Sequence, residues 1–387
     1  MVLISVGMGV ILSTIDGTIV NIGLNTLVND LQQPLHVVEW VVLAYMLTIS
    51  TLMLSVGRLA DMIGKKKLFL AGIIIFTVSS GLCGLSPNVF WLIAFRVLQA
   101  MGAVLLMAIG NAIVTEAFPT TERGRALGVM GTLVSIGIIT GPTIGGLILQ
   151  SLSWHWLFFV NLPIGLIGVF MVLRFIPEDT ARTRQRFDFA GAATMFFFMI
   201  FLLFALSISQ DRGFKNPTVL ALLLAALAGL VAFILVERRS KSPMVNLAMF
   251  RSRQFSTNLV TGFTVFVCNA GTTLLFPLFL QNVLLYSTGT TGLLLAVTPV
   301  IVSVVAPLSG ALSDRTGSRP ITTLGLFVLF LGFLFATTLS EQTSTIGYIL
   351  RFIPIGIGIG LFSSPNNSAV MGSVPRENLG IASGILS

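Results

Sequence analysis

Charge is what this sequence has least of. Only 9% of its 387 residues are Asp, Glu, Lys or Arg, against about 25% in an ordinary soluble domain. That leaves too little polar surface to cover a globule of this size, which excludes a water-soluble fold. Cysteine and histidine are scarce too, at two residues each. Cys83 and Cys268 fall inside apolar runs, and His36 and His155 have no metal-ligand spacing. Neither a disulfide framework nor a metal centre is therefore expected. The chain has no nucleophile–base arrangement and no glycine loop leading into Lys-Ser/Thr, so no enzyme class is indicated. Met1 runs directly into apolar sequence without a basic leader segment or a small-residue cleavage site, and no signal peptide is expected.

Apolar sequence takes the place of charge. Hydrophobic residues make up 55% of the chain, and the mean hydropathy is +0.98. Runs of about 20 apolar residues, each long enough to cross a hydrocarbon core of about 30 Å, recur along its whole length. Twelve complete spans are predicted, at 2–24, 37–56, 68–85, 89–114, 125–150, 156–176, 188–207, 217–236, 256–281, 289–312, 320–339 and 344–372, and a thirteenth begins near Leu379. The expected fold class is all-α, a polytopic membrane protein. Of the 22 basic residues, eighteen fall in alternate loops on one side, among them Lys65, Lys66, Lys67, Arg182, Arg184, Arg186, Arg239, Lys241 and Arg376. Only Arg212 and Lys215 fall on the other side, and Arg96 and Arg351 lie within spans. The asymmetry puts the N-terminus in the cytoplasm of a multi-pass protein of the cell membrane. Because the basic residues are spread over many short loops, the net charge of +8 indicates membrane topology and no nucleic-acid partner.

A short phrase occurs twice. Gly57-Arg58-Leu59-Ala60-Asp61-Met62-Ile63-Gly64 precedes Lys65, and Gly310-Ala311-Leu312-Ser313-Asp314-Arg315-Thr316-Gly317 precedes Arg319. Both read G-x-L-x-D-x-x-G in a polar gap between apolar runs. Arg96 and Arg351 keep nearly the same offset, as do the pairs Gly124/Gly128 and Gly380/Gly384, which follow Glu122 and Glu377. Matched landmarks at one offset indicate a duplicated helical bundle, as in secondary transporters. Residues 1–176 form the first six-helix bundle, and 177–241 carry two inserted helices with basic flanks. Residues 242–387 hold four helices and the start of a fifth of the second bundle. By this offset the second bundle should continue about 50 residues past Ser387, which makes the expected parent a fourteen-helix protein with its C-terminal part missing here.

Few residues inside the spans can carry chemistry. Asp16 lies in the first span, where a carboxylate costs on the order of 3 kcal/mol, and its burial suits it to bind and release a proton. A structural hydrogen bond or a wet helix end is the other reading. Arg96, followed by Gln99, keeps its proton and so serves to bias a carboxylate or to organise polar groups; a purely structural pair is the alternative. Asp16 and Arg96 are the expected proton-coupling residues. Asn21, Tyr45, Gln99 and Asn111 are candidates for the substrate cavity, although Tyr45, like Trp40, also suits interfacial anchoring. Gly137, Gly141 and Gly145, with Pro142 and Gly146, clear and bend one face of the fifth span, for rocking bundles or for ordinary close packing. Gly57, Asp61, Gly64, Lys65, Gly310, Asp314, Arg315 and Gly317 form the expected conformational switch. Its aspartates are placed to cap helices or to pair with basic residues.

These segments resemble the major facilitator superfamily, and specifically its fourteen-helix drug:proton antiporter branch. Gly57 to Lys66 is similar to the superfamily's loop signature, and Arg96-Val97-Leu98-Gln99 to its fourth-helix motif. Gly137 to Gly146 matches the antiporter motif G-x-x-x-G-P-x-x-G-G, and Asp16 to Asn21 resembles the branch's first-helix motif. Trp154 to Gly165, with Asn161-Leu162-Pro163, resembles the start of its sixth helix. The chain departs from the pattern at Met62 (usually Arg), at Gly23-Leu24-Asn25 (usually Ala-Leu-Pro) and at Ala100 (usually Gly). The resemblance implies export of small hydrophobic, often cationic compounds, driven by protons and needing no cofactor beyond the proton gradient. It implies a monomer in the lipid bilayer. A nutrient symporter or uniporter of the same fold, or a non-transporting membrane fragment, is the competing reading.

Overall fold

The computed structural model describes residues 1–178, 188–240, 247–286, 288–375 and 378–386. Arg182, Arg184, Arg186, Lys241, Arg376 and Glu377 lie outside them. Among the described residues, twelve helices are long and apolar enough to cross a membrane, one for each predicted complete span. We number the main helices α1 (Val2–Leu31), α2 (Trp40–Ile63), α3 (Lys65–Gly84), α4 (Val89–Ala117), α5 (Arg123–Ser151) and α6 (Asn161–Phe175). Then come α7 (Phe189–Arg212), α8 (Pro217–Arg239), α9 (Arg253–Leu278), α10 (Val297–Thr316), α11 (Ser318–Ala336), α12 (Thr345–Gly372) and the short α13 (Leu379–Leu386). Short helices at Leu35–Val38, Trp156–Phe159 and Thr288–Leu295 lead into α2, α6 and α10.

Polar residues fix where the apolar runs start and stop. The Asn88 side chain accepts from the amides of Phe90 and Trp91 at the start of α4. Asn216 caps α8, with Pro217 in its first turn, while Ser252 and Ser344 cap α9 and α12. Each cap satisfies amides that the helix itself leaves free.

The repeated octapeptide is mostly helix rather than loop. Residues 57–63 continue α2 and residues 310–316 continue α10; the chain breaks only at Gly64 and Gly317. Both take a positive φ, 115° and 86°, which a residue with a Cβ rarely adopts. The polar residues of the motif thus occupy the last two turns of each helix.

In the first half α1 packs on α4, α5 and α6, α3 on α4 and α6, and α2 on α4. In the second, α12 packs on α9, α10 and α11. The halves meet along α5 with α10 and along α2 and α4 with α13. Helices α7 and α8 pack on each other, and α7 touches α2, where Trp40 and Phe204 lie 5.6 Å apart. Ile381 of α13 joins the same apolar cluster as Met195 and Phe233.

Candidate functional site

The charges inside the first half converge on one point. Asp16 of α1 and Arg96 of α4 are 0% and 1% exposed, and Arg96 Nη1 donates to Asp16 Oδ2 at 2.5 Å. Gln99 Nε2 donates to Asp16 Oδ1 at 2.8 Å, and Asn161 Nδ2 donates to the same oxygen at 3.0 Å. Arg96 also donates through Nε to the Val41 carbonyl (3.0 Å) and through Nη1 to Gln99 Oε1 (2.8 Å). Its guanidinium lies 3.9 Å over the Tyr45 ring. Ser80 of α3 accepts from both Gln99 Nε2 and Asn161 Nδ2, and donates to the Phe158 carbonyl at 2.9 Å.

Five segments of the chain thus supply one polar cluster in an otherwise apolar bundle. A buried ion pair survives there because each charge has its partner and further hydrogen bonds. Each bond to a charged group is worth about 1.5–3 kcal/mol. All three donors to Asp16 stabilise its ionised form.

Ser80 and Asn161 were not singled out from sequence as members of this site. Serine and asparagine are common in helices of every kind, and their partners lie up to 145 residues away. Of the four expected cavity residues, two stand beside the charge cluster. Tyr45 and Gln99 are buried, at 2% and 0% exposure, and serve the charge cluster. Asn21 is exposed and Asn111 half-buried on their helices. None of the four lines either cavity at the end of the molecule carrying the basic loops. Among the described residues Arg351 has no acidic partner: it donates to Thr338 Oγ1 (2.8 Å) and to the Gly347 carbonyl (2.9 Å).

At the basic end the repeated motifs form two equivalent latches. Asp61 accepts from the amides of Gly380 and Ile381 at 3.0 and 3.2 Å. Asp314 accepts from the amides of Gly124 and Arg125 at 2.9 and 3.0 Å. Each carboxylate thus caps the first turn of a helix in the opposite half, where amides and helix dipole favour an anion. Gly57 meets Gly380, and Gly310 meets Gly124, backbone to backbone. Ser364 adds a bond to the Gly124 carbonyl at 2.7 Å.

The latches are chemically unequal. Asp61 is buried and faces Lys65 Nζ at 3.5 Å, and Lys65 reaches Glu116 at 3.2 Å. Burial pushes the Asp61 carboxyl up to about 6, against the opposing pull of Lys65, the two amides and Arg58. Arg315 is exposed.

The glycine face of α5 turns toward its own half. A Cβ at Gly137 would lie 2.8 Å from Thr14 Cβ, and one at Gly145 2.8 Å from Ile19 Cγ1. One at Gly141 would strike Thr18, whereas Gly146 has nothing within 4 Å. The partner of this face is α1; the partner across the halves is the first third of α5, where Gly128 meets Ala306 and Thr132 donates to the Ser303 carbonyl. The helix runs unbroken through Pro142.

The profile of the Major Facilitator Superfamily matches residues 6–387. The chain is 34% identical to the riboflavin transporter RibZ of Clostridioides difficile, over 100% of this chain and 84% of RibZ. It is 34% identical to the multidrug resistance protein Stp of Mycobacterium tuberculosis, over 100% of this chain and 72% of Stp. In fold it resembles the proton:xylose symporter XylE, with a TM-score of 0.67 at 14% identity, covering 100% of this chain and 84% of XylE.

Proposed function

This chain belongs to the Major Facilitator Superfamily, a family of transporters, and on that premise we propose that it is a proton-coupled exporter of small hydrophobic molecules. The observation that carries this reading is the buried Asp16–Arg96 pair with its amide partners. It is a carboxylate that can change charge, held by a cation that cannot. Proton binding at Asp16 dissolves the ion pair and loosens the contact between α1 and α4. Substrate binding in the opposite conformational state releases the proton. The latches of Asp61 and Asp314 hold the basic end closed, which we assign to the cytoplasm from the distribution of basic loops. The α7–α8 pair, lying beside α2 and α13, supports the arrangement of six, two and six helices of the fourteen-helix antiporter branch. The complete G-x-x-x-G-P-x-x-G-G segment and the likeness to Stp support export of drug-like compounds. The equal identity to RibZ favours a second reading, in which the cargo is a vitamin-like aromatic molecule. We take the chain to work as a monomer in the plasma membrane with the proton gradient as its energy source.

The test is proton release from purified protein on adding a transported compound, compared between wild type and Asp16→Asn. The wild type should release protons and Asp16→Asn should not, with pH-gradient-driven export lost in vesicles. If the variant releases as many protons and still exports against a gradient, Asp16 is structural and the coupling site lies elsewhere.

A further inference from the structure

One atom of the charge cluster has no partner. Asn161 Oδ1 is buried and accepts no hydrogen bond among the described residues, in a residue that is 0% exposed. Leaving a buried acceptor unmade is costly, so such an atom calls for an explanation. The same amide donates through Nδ2 to both Asp16 Oδ1 and Ser80 Oγ. It is therefore oriented entirely toward the ionised form of Asp16.

Protonation of Asp16 reverses what its surroundings must supply. A proton arriving from water on Oδ1 adds an O–H bond there and neutralises the carboxyl, while Arg96 keeps its charge. The new O–H then points at two amide N–H donors where it needs an acceptor. Gln99 cannot turn to provide one, because its Oε1 already accepts from Arg96 Nη1 at 2.8 Å, with Cys83 Sγ at 3.6 Å. Turning it would set an NH2 group against the guanidinium. Asn161 can turn without giving up any acceptor bond; Ser80, which loses the Asn161 amide as a donor when it does, keeps its bond from Gln99 and swings its hydroxyl proton from the Phe158 carbonyl to the turned Asn161 Oδ1. The titratable groups facing Asp16 are Arg96 from α4, Tyr45 from α2 and Cys83 from α3; α5 and α6 carry none at this depth.

We infer that Asn161 is a positioning residue that serves both protonation states of Asp16: its amide donates to the carboxylate, and after rotation by about 180° its free Oδ1 accepts from the protonated acid. This rests on Asp16 being the proton site. Rotation leaves the amide nitrogen where the oxygen stood, so neither state carries more than one unpartnered end. The amide thus gives each protonation state of Asp16 a partner, so that loss of the Arg96 pair, and not an unmade hydrogen bond, is what loosens α1 from α4.

The experiment is infrared difference spectroscopy between low and high pH on the whole chain in lipid vesicles, with asparagine side chains labelled at the amide carbon. Protonation of Asp16 gives a carboxylic-acid band that Asp16→Asn lacks. With it, one asparagine carbonyl band should move to the lower frequency of a hydrogen-bonded carbonyl, and that movement should vanish in Asn161→Leu. The second readout is the pH midpoint of substrate-evoked proton release. In Asn161→Leu both protonation states lose a partner, so the midpoint should move by less than about half a unit while turnover falls about tenfold. A midpoint raised by about 1–2 units would make Asn161 a donor to the carboxylate only, and overturns the inference. So does an Asp16 band with no asparagine movement in the wild type, a result that needs no variant at 161. Absence of the Asp16 band itself overturns the proton-site reading instead.

Discussion

Asp16 receives three donors and one full positive charge, all from side chains of α4 and α6. Under the proton-coupled reading, Arg96 sets how readily that carboxylate accepts a proton. Arg96→Ala leaves the carboxylate buried without a countercharge, a change that typically costs about 3–5 kcal/mol unless the group takes up a proton. Substrate-evoked proton release should then disappear. Arg96→Lys should restore it only in part, because an ammonium cannot serve Val41, Gln99 and Asp16 with the planar fork of the guanidinium. Proton release at the wild-type level from Arg96→Ala would assign Arg96 a packing role. These two residues were legible in the sequence because a charge inside an apolar run has few innocuous explanations. Ser80 and Glu116 were not, and Asn161 stood out only within the sixth-helix resemblance, with no link to Asp16. Their residue types are ordinary where they stand, and what makes them part of a site is a neighbour supplied by folding.

Among the helices, α5 shows how one element serves two neighbours. Its first third meets α10 across the halves, and its glycine face meets α1 within its own half. The spacing of Gly137, Gly141 and Gly145 announces close approach by some helix, but spacing alone does not say which. Gly141→Val should force α1 from α5 and destabilise the fold by about 1–3 kcal/mol, read as a lower melting temperature in detergent. Gly146→Ala, with open space around it, should be neutral. Equal effects of the two would remove the distinction. The α2 latch offers a pH test. Burial raises the Asp61 carboxyl to about 6 while the latch is closed, and opening returns it to water and its ordinary value of about 3.9. A group raised in one state stabilises that state below its ordinary pKa and loses the effect as pH climbs through the raised one. The closed seam should therefore gain about 2 kcal/mol between pH 7 and pH 4, most of it below pH 6. Spin labels across the seam should report a larger closed fraction on acidification, and Asp61→Asn should flatten that response. A closed fraction that falls on acidification would reverse the sign.

Over the whole molecule, hydropathy made the twelve spans readable, and loop charge gives them an expected alternation. Which half each latch would clasp was not, because an octapeptide at a helix end carries no record of a helix 190 or 319 residues away. The alternation gives a topology test: cysteines at positions 66, 184 and 239 should label from the cytoplasm, and those at 33, 215 and 341 from outside. Labelling of 184 and 215 from the same side would sink the proposed insertion of α7 and α8. The latches give a mechanical one. Gly57 and Gly310 stand at equivalent places, and a Cβ at either would run into backbone of the other half, Gly380 in one case and Gly124 in the other. Backbone cannot move aside as a side chain can, so Gly57→Leu and Gly310→Leu should each prop the basic end open while leaving the Asp16 cluster assembled. The distance between spin labels at positions 63 and 319 should lengthen in both variants. Export should stop in both, since a carrier that cannot close one end cannot alternate. Loss in Gly57→Leu alone would mean that the α2–α13 seam closes the molecule by itself and the α5–α10 seam only follows it. Wild-type distances and export in both would show that the two halves close through contacts other than these.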